Sequence, residues 1–462
     1  MGSRLMRHLV WERPPKISSL KSGAPVALVA GGSTPSATET LKIDASLTPR
    51  DTAIYLLHIG AEIEQMLMVQ YLYAGYSVGG PHLTPEQNQI AANWRQNILK
   101  VAREEMAHLA TVQNLLTLIG GPVTFDREDF PNASGMYPFP FTLEPLTKSS
   151  VGRYVLAEVP SDDVLEKLGL LKEVQAIEAY VDSDGPRDKV HRVGILYSKI
   201  KEYFLLPKLR EDPTAPAPPF IPSSDIRAES IRFQVRPEEW GLGQADLLIL
   251  SAADRKAAAD AIQKISDQGE GSGIDDLPNS HFGRFLDIYR NFPEDWSPAK
   301  PVAKNPKLCA DDEGDLITDE VARIWADLFN LRYRLLLMLL THSFHIESTV
   351  EGDPKSPRGL LISWAFGEMY HLRSISEILM GLPLGDETRE ICAGPPFLMP
   401  YSLALPVHEN NRWRGHRDLL TASNQSIAML LEKAAPETHA YLNAFAAAND
   451  RALLQIAPLI GD

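Results

Sequence analysis

VAREEMAHLATVQNLLTLIGG, residues 101–121, places acidic residues and a histidine inside a run that otherwise asks for a buried helix. At about 100° per residue, Trp94, Ile98, Val101, Ala102, Val112, Leu115, Leu116 and Ile119 form one apolar stripe. Glu105 and His108 lie within that stripe, while Lys100, Arg103 and Glu104 are expected to point away. A Glu and a His three residues apart project side by side from one helix face. A buried carboxylate is unfavourable unless it is paired or bound to a cation.

The preceding helix, DTAIYLLHIGAEIEQMLMVQYLYAGY (residues 51–76), repeats the pattern. His58, Glu62 and Gln65 share one side; Leu57, Ala61, Glu64, Leu67, Met68 and Tyr71 share the other, so Glu64 is a lone carboxylate on an apolar stripe. Three such groups on two helices would repel or protonate without a cation. Carboxylates with imidazole suit iron, manganese or zinc. Di-iron bundles use a Glu from each of two helices and a Glu-x-x-His from each of the other two. The competing reading is a buried salt bridge or a satisfied core histidine. For one residue that reading prevails; Glu64 at the matching place tips the balance toward a metal.

Two sets compete for the remaining ligands. One is Glu270 in QGEG (268–271) with His281 in SHFGRF (280–285). The other is Glu368 and His371 in FGEMYHL (366–372), which share a stripe with Leu361, Trp364, Ile375 and Ile378 and match better by spacing alone. His342 and His345 also stand three apart, and read as core or helix-end histidines.

The bulk numbers bound the class. A chain of 462 residues, 44% hydrophobic and 23% charged, is an ordinary globular composition with room for more than one domain. The net charge of −15, without blocks of Lys or Arg, argues against a nucleic-acid or acidic-membrane surface. Two distant cysteines, Cys309 and Cys392, form no disulfide framework and fit a reducing cytoplasm. The apolar piece at residues 24–30 is too short for a signal or a membrane span.

Helices are expected at about 49–76, 85–119, 187–206, 244–267, 318–347, 357–382 and 412–457, with a helical connection in 161–181, a long loop at 122–150 and a short hairpin in 224–235. This gives a mainly α protein in three parts. Residues 1–48 are an irregular N-terminal segment; 49–290 form a metal-binding bundle with an insertion around 207–245; 291–462 form a helical region packed on the bundle.

EIEQMLMVQYLYAGYS (62–77), REEMAHLATVQNLLTLIGGP (103–122), VGILYSKI (193–200), AIQKISDQGEG (261–271) and SHFGRF (280–285) occur in an order that resembles the ferritin-like domain of the iminophenylpyruvate dimer synthase family. LMGLPLG (379–385) and AGPPF (393–397) resemble its C-terminal part. That family serves violacein- and indolocarbazole-type pathways. The resemblance implies a ferritin-like four-helix bundle with large insertions, ligands at Glu64, Glu105 and His108, and Glu270 with His281 ahead of Glu368 with His371. One departure stands out: the family's third helix carries a Glu where this chain has Ile195, and His191, one turn earlier, is a candidate substitute. The implied activity is a redox reaction of specialised metabolism. One or two iron ions, or manganese or zinc, would act with dioxygen or peroxide on a small amino-acid-derived molecule, in a protein able to form homo-oligomers. Tyr71 is the candidate proton donor. The alternatives are a non-catalytic metal-binding scaffold with a degenerate site, and a zinc hydrolase on the same ligands.

Overall fold

A computed structural model of the chain describes residues 9–12, 40–43, 47–132, 140–181, 193–206, 220–240, 247–271, 276–310, 313–348, 356–385 and 390–461. Helix α1, Pro49–Ser77, starts where Thr48 Oγ1 accepts the Asp51 amide at 3.2 Å and Pro49 fits the first turn. Helix α2, Pro85–Leu118, opens on a reciprocal Thr84–Gln87 capping box and stops before Gly120, whose φ of +67° favours glycine.

Of the 29 residues of α1, 21 are buried, so α1 has no solvent side. It packs on α2, on α6 and, across its other face, on α10. Glu62 and Gln65, expected on a polar edge, are therefore buried, and Gln65 donates to the Tyr333 hydroxyl at 3.0 Å. Amphipathic reasoning assumes one wet face; a helix between two layers has none.

Helices α3 (Lys148–Ala157), α4 (Asp162–Leu168), α5 (Leu171–Val181), α6 (Val193–Phe204), α7 (Arg255–Glu270) and α8 (His281–Arg290) complete the first half. Contacts of α1 with α2, α6 with α7, α1 with α6 and α2 with α7 close a four-helix bundle. The pair α3–α8 packs beside it, with α8 also touching α2 and α7. The second half holds α9 (Glu320–Ser343), α10 (Pro357–Leu379), α11 (Glu409–Lys433) and α12 (His439–Ile460). Leu9–Glu12 pairs antiparallel with Thr40–Ile43 inside the segment expected to be irregular.

Several boundaries differ from the sequence expectations. The hairpin in 224–235 is instead a series of 3₁₀ turns, Ser223–Asp225, Ala228–Phe233 and Pro237–Trp240. Side chains, not a sister strand, satisfy that backbone: Asn114 clamps Val235 through two 2.8 Å bonds, and Arg358 donates to the Gln234 carbonyl at 2.8 Å. The fourth helix begins at Arg255 rather than near 244. Thr111 and Asn114 of α2 bond the backbone of Leu248 and Leu250 and hold it outside the helix. The last helical region divides into α11 and α12 around Pro436. Among the described residues, no helix is long and apolar enough to cross a membrane.

The second half is tied by Arg332 of α9. Its guanidinium forks onto Glu368 of α10, with Nε 2.6 Å from Oε2, and Nη1 donates to Asn449 of α12 at 3.0 Å. Both partners are buried. Arg332→Met leaves Glu368 buried and unpaired, and should lower stability by about 3–5 kcal/mol. The double variant Arg332→Met with Glu368→Leu should recover most of that loss; thermal melts of the three proteins check both outcomes.

Candidate metal centre

The α1–α2 pair brings Glu64, Glu105 and His108 to one place. One ligand atom from each lies within 4.8 Å of the others, and all three are buried. A second group, Glu105 with Glu158 and His281, meets the same limit. Glu105 belongs to both. Glu158 caps the end of α3, and His281 opens α8 behind its Ser280 cap, so the α3–α8 pair completes what α1 and α2 begin.

Both imidazoles turn Nδ1 toward carboxylates. His108 Nδ1 stands 3.0 Å from Glu105 Oε2 and 3.5 Å from Glu64 Oε2. His281 Nδ1 stands 2.9 Å from Glu105 Oε1 and 3.6 Å from Glu158 Oε2. Each far nitrogen faces an oxygen behind it. His108 Nε2 donates to Gln268 Oε1 at 2.8 Å, and His281 Nε2 lies 3.2 Å from Glu104 Oε2, itself paired to Arg284. With Nε2–H committed to Gln268, the Nδ1 of a neutral His108 presents its lone pair to two carboxylates. Such an arrangement is stable only with a proton or a metal ion between them.

Tyrosines hold the outer oxygens. Tyr71 donates to Glu158 Oε1 at 2.5 Å, and the Tyr197 hydroxyl contacts Glu64 Oε1. Tyr71 is fully buried, with Tyr154 and Phe285 rings 4.9 and 4.8 Å from its own.

The electrostatics follow from crowding. Burial, with Glu105 nearby, raises Glu64 to about 8. Burial alone would depress His108, but the Glu105 and Glu64 carboxylates outweigh it and push the imidazole up to about 10. His281 is likewise held well above its usual value by Glu105, Glu104 and Glu158 against the pull of burial. Burial works to raise Glu105, yet His281 and His108 bring it below the ordinary carboxylate range.

The donor set fits a first-row metal ion: carboxylate oxygens and imidazole nitrogens in a dry enclosure. One observation of the structure supports the fit. Glu105 Oε1 and both ring nitrogens of His281 are buried and make no hydrogen bond of acceptable geometry, although they stand 2.9 and 3.2 Å from potential partners. Orphaned atoms of this kind are rare.

The other sequence candidates lie elsewhere. Glu270 belongs to neither group; its carboxylate packs over the bare Cα of Gly194 on α6. In the same QGEG segment, Gln268 holds His108, and a β-carbon on Gly269 would lie 3.3 Å from Glu158 Oε2. Ile195 packs against the core from α6, and His191 lies outside the described residues. Glu368 is engaged by Arg332; His371 stacks on Phe445 at 3.8 Å and meets the Tyr441 hydroxyl at 3.1 Å. His342 is buried between His416 and Glu409, and His345 bonds the Thr341 carbonyl. Glu104, expected to point away, is buried because α8 covers that side of α2. Glu158 escaped the sequence reading; its signal is one acid in RYVLAEVP (153–160), just before the Pro160 that ends α3.

The chain has relatives among known proteins. The chain is 29% identical over 392 residues to dichlorochromopyrrolate synthase of Lentzea aerocolonigenes, a match covering 76% of this chain and 36% of that one. It is 26% identical over 374 residues to 2-imino-3-(indol-3-yl)propanoate dimerase of Chromobacterium violaceum, covering 74% and 33%. The chain thus spans about a third of the length of these curated relatives. A solved ferritin-like protein from Caulobacter vibrioides aligns with a TM-score of 0.40 at 16% identity, over 71% of this chain and 96% of that one. The family model described as Ferritin-like matches residues 57–290, which hold α1 from Leu57, α2 and every member of both ligand groups. The chain belongs to the ferritin-like family.

Proposed function

We propose that the chain is a metal-dependent oxidoreductase, a non-haem iron enzyme using dioxygen or peroxide on a small amino-acid-derived molecule. The observation that carries this reading is Glu105, shared between two buried Glu/His groups, whose Oε1 and the His281 Nδ1 facing it make no hydrogen bond. Glu64, Glu105 and His108 would hold one ion, and Glu105, Glu158 and His281 a second. Iron bound there would supply the oxygen chemistry. Manganese and zinc share the ligand preference and are decided by elemental analysis.

The protein's own residues do the rest. Gln268 and Glu104 orient the two imidazoles from behind, as outer partners do in metal sites. Tyr71 holds a proton at Glu158 Oε1, and Tyr197 does so at Glu64 Oε1, so each outer carboxylate keeps a donor as charge changes at the centre. Tyr154 and Phe285 wall off water beside Tyr71.

The names of the two curated relatives favour an imino-acid or indole-type substrate. With only a third of their length covered, the exact substrate stays outside the proposal. A cytoplasmic location accords with the free Cys309 and Cys392.

A second reading, a metal-binding scaffold without turnover, is favoured by one observation: a 580 Å³ cavity in the chain is lined by none of the five ligands. Metal content and oxygen consumption separate the two. Protein purified without added metal should carry one or two iron ions per chain and consume dioxygen or peroxide with a competent reductant. Metal without consumption favours the scaffold. Zinc in place of iron moves the reading to hydrolysis. A folded protein free of metal removes all three readings.

Glu105→Ala should lose most bound metal while the far-ultraviolet circular dichroism remains helical. Unchanged metal content would place the site elsewhere. Gln268→Leu, which strips the partner of His108 Nε2, should weaken metal affinity by about 10–100-fold, read by competition with a chelator.

The metal-free centre also sets a pH dependence. His108 at about 10 and Glu64 at about 8 are both raised in the folded chain. Their contributions are fully present below the unfolded values, about 6.5 and about 4.3, and are lost as pH rises through the folded ones. Chelated protein should therefore melt lower at pH 9.5 than at pH 6.5. Saturating metal, which binds the deprotonated ligands, should shrink or reverse that difference. Equal slopes with and without metal would show that these groups do not bind it.

A further inference from the structure

Between α1 and α2 on one side and α9 and α10 on the other lies a cavity of about 580 Å³. Along α1 it runs from Gln65 to Tyr76, which at 1.5 Å per residue is about 16 Å. It is on the far side of the α1–α2 pair from the metal centre: Gln65 and Met106 line it, while their chain neighbours Glu64 and Glu105 belong to the ligand groups. Its middle is aliphatic, with Leu72, Leu99, Leu336 and Met369 among its walls.

The two ends differ in chemistry. At the inner end Gln65 is fully buried; its Nε2 donates to Tyr333, but its Oε1 is buried with no hydrogen-bond partner. A buried amide oxygen left in that state is unfavourable unless a donor is brought to it. At the outer end Arg95 and Arg373 both pair with the same carboxylate, Glu377, so two guanidiniums share one negative charge. Arg103 lines the same cavity. The Arg373 side chain is 49% exposed, which puts this end at the surface.

We propose that this cavity is a second small-molecule site, for an elongated amphipathic carboxylate bearing an N–H or O–H donor at its apolar end. The carboxylate sits among Arg95, Arg103 and Arg373, the body fills the aliphatic middle, and the terminal donor meets Gln65 Oε1. Length, charge and the unpartnered oxygen each select the same ligand shape. A simple fatty acid satisfies the first two and leaves Gln65 unpaired. The site does not depend on the metal centre or on what reacts there.

The test uses the whole chain, metal-loaded and chelated, titrated by calorimetry with 12-hydroxydodecanoate, dodecanoate and the methyl ester of the hydroxy acid. The hydroxy acid should bind one-to-one and saturably in both metal states, about tenfold more tightly than either comparison ligand. Gln65→Leu should abolish the preference for the hydroxyl, Arg373→Gln should reduce the preference for the acid over its ester, and Leu336→Trp should block binding by filling the channel. Melting curves verify that each variant is folded. Should Gln65→Leu fail to fold, 6-hydroxydodecanoate asks the same question of the wild type, because only a terminal hydroxyl reaches Gln65. The proposal is overturned by unsaturable binding or none, by a hydroxyl preference that survives Gln65→Leu or ignores hydroxyl position, or by undiminished binding to Leu336→Trp.

Discussion

A carboxylate sealed from water between two imidazoles needs a positive charge beside it, and Glu105 is that carboxylate. Its two oxygens face different histidines, His108 through Oε2 and His281 through Oε1, and its side chain is 2% exposed. Glu64 joins Glu105 in one group and Glu158 joins it in the other. Without an ion, two raised imidazoles carry the compensation; with one, the histidines become neutral ligands already turned to present Nδ1. Gln268, whose carbonyl oxygen accepts the His108 Nε2–H, holds that ring in the same orientation in either state.

That requirement explains the layering. Five acid and imidazole side chains from α1, α2, α3 and α8 converge only if α1 and α2 are locked against further helices. The bundle with α6 and α7 supplies one wall, and α9 and α10 supply the other. The outcome is a central helix buried along most of its length, the candidate metal centre on one side of the α1–α2 pair and an apolar cavity on the opposite side. The separation keeps a polar, charge-dense enclosure away from a surface shaped for aliphatic contact.

Much of this was legible in the residues. Thr48-Pro49, Thr84-Pro85 and Gly120-Gly121-Pro122 mark the ends of α1 and α2 within a residue or two, because caps and prolines act locally. Glu64, Glu105 and His108 were legible because acids on an apolar stripe contradict their surroundings. Glu158 was not: it stands at a helix end, where periodicity says nothing, and only the packing of α3 on α8 brings it inward. Glu270 and Gln268 show the limit of motif reasoning. The QGEG segment does reach the centre, but helix phase turns the glutamine toward His108 and the glutamate toward α6. Glu368 and His371 have the right spacing, yet Arg332, thirty-six residues earlier in the chain, claims the carboxylate, and no periodicity reveals a partner on another helix.

Anomalous X-ray diffraction at the iron edge, on crystals grown without chelator, tests the central claim most directly. The account predicts a peak at one or both of the two groups, Glu64 with Glu105 and His108, and Glu105 with Glu158 and His281. A map without a peak there, in which both imidazoles are hydrogen-bonded straight to the carboxylates, would contradict it.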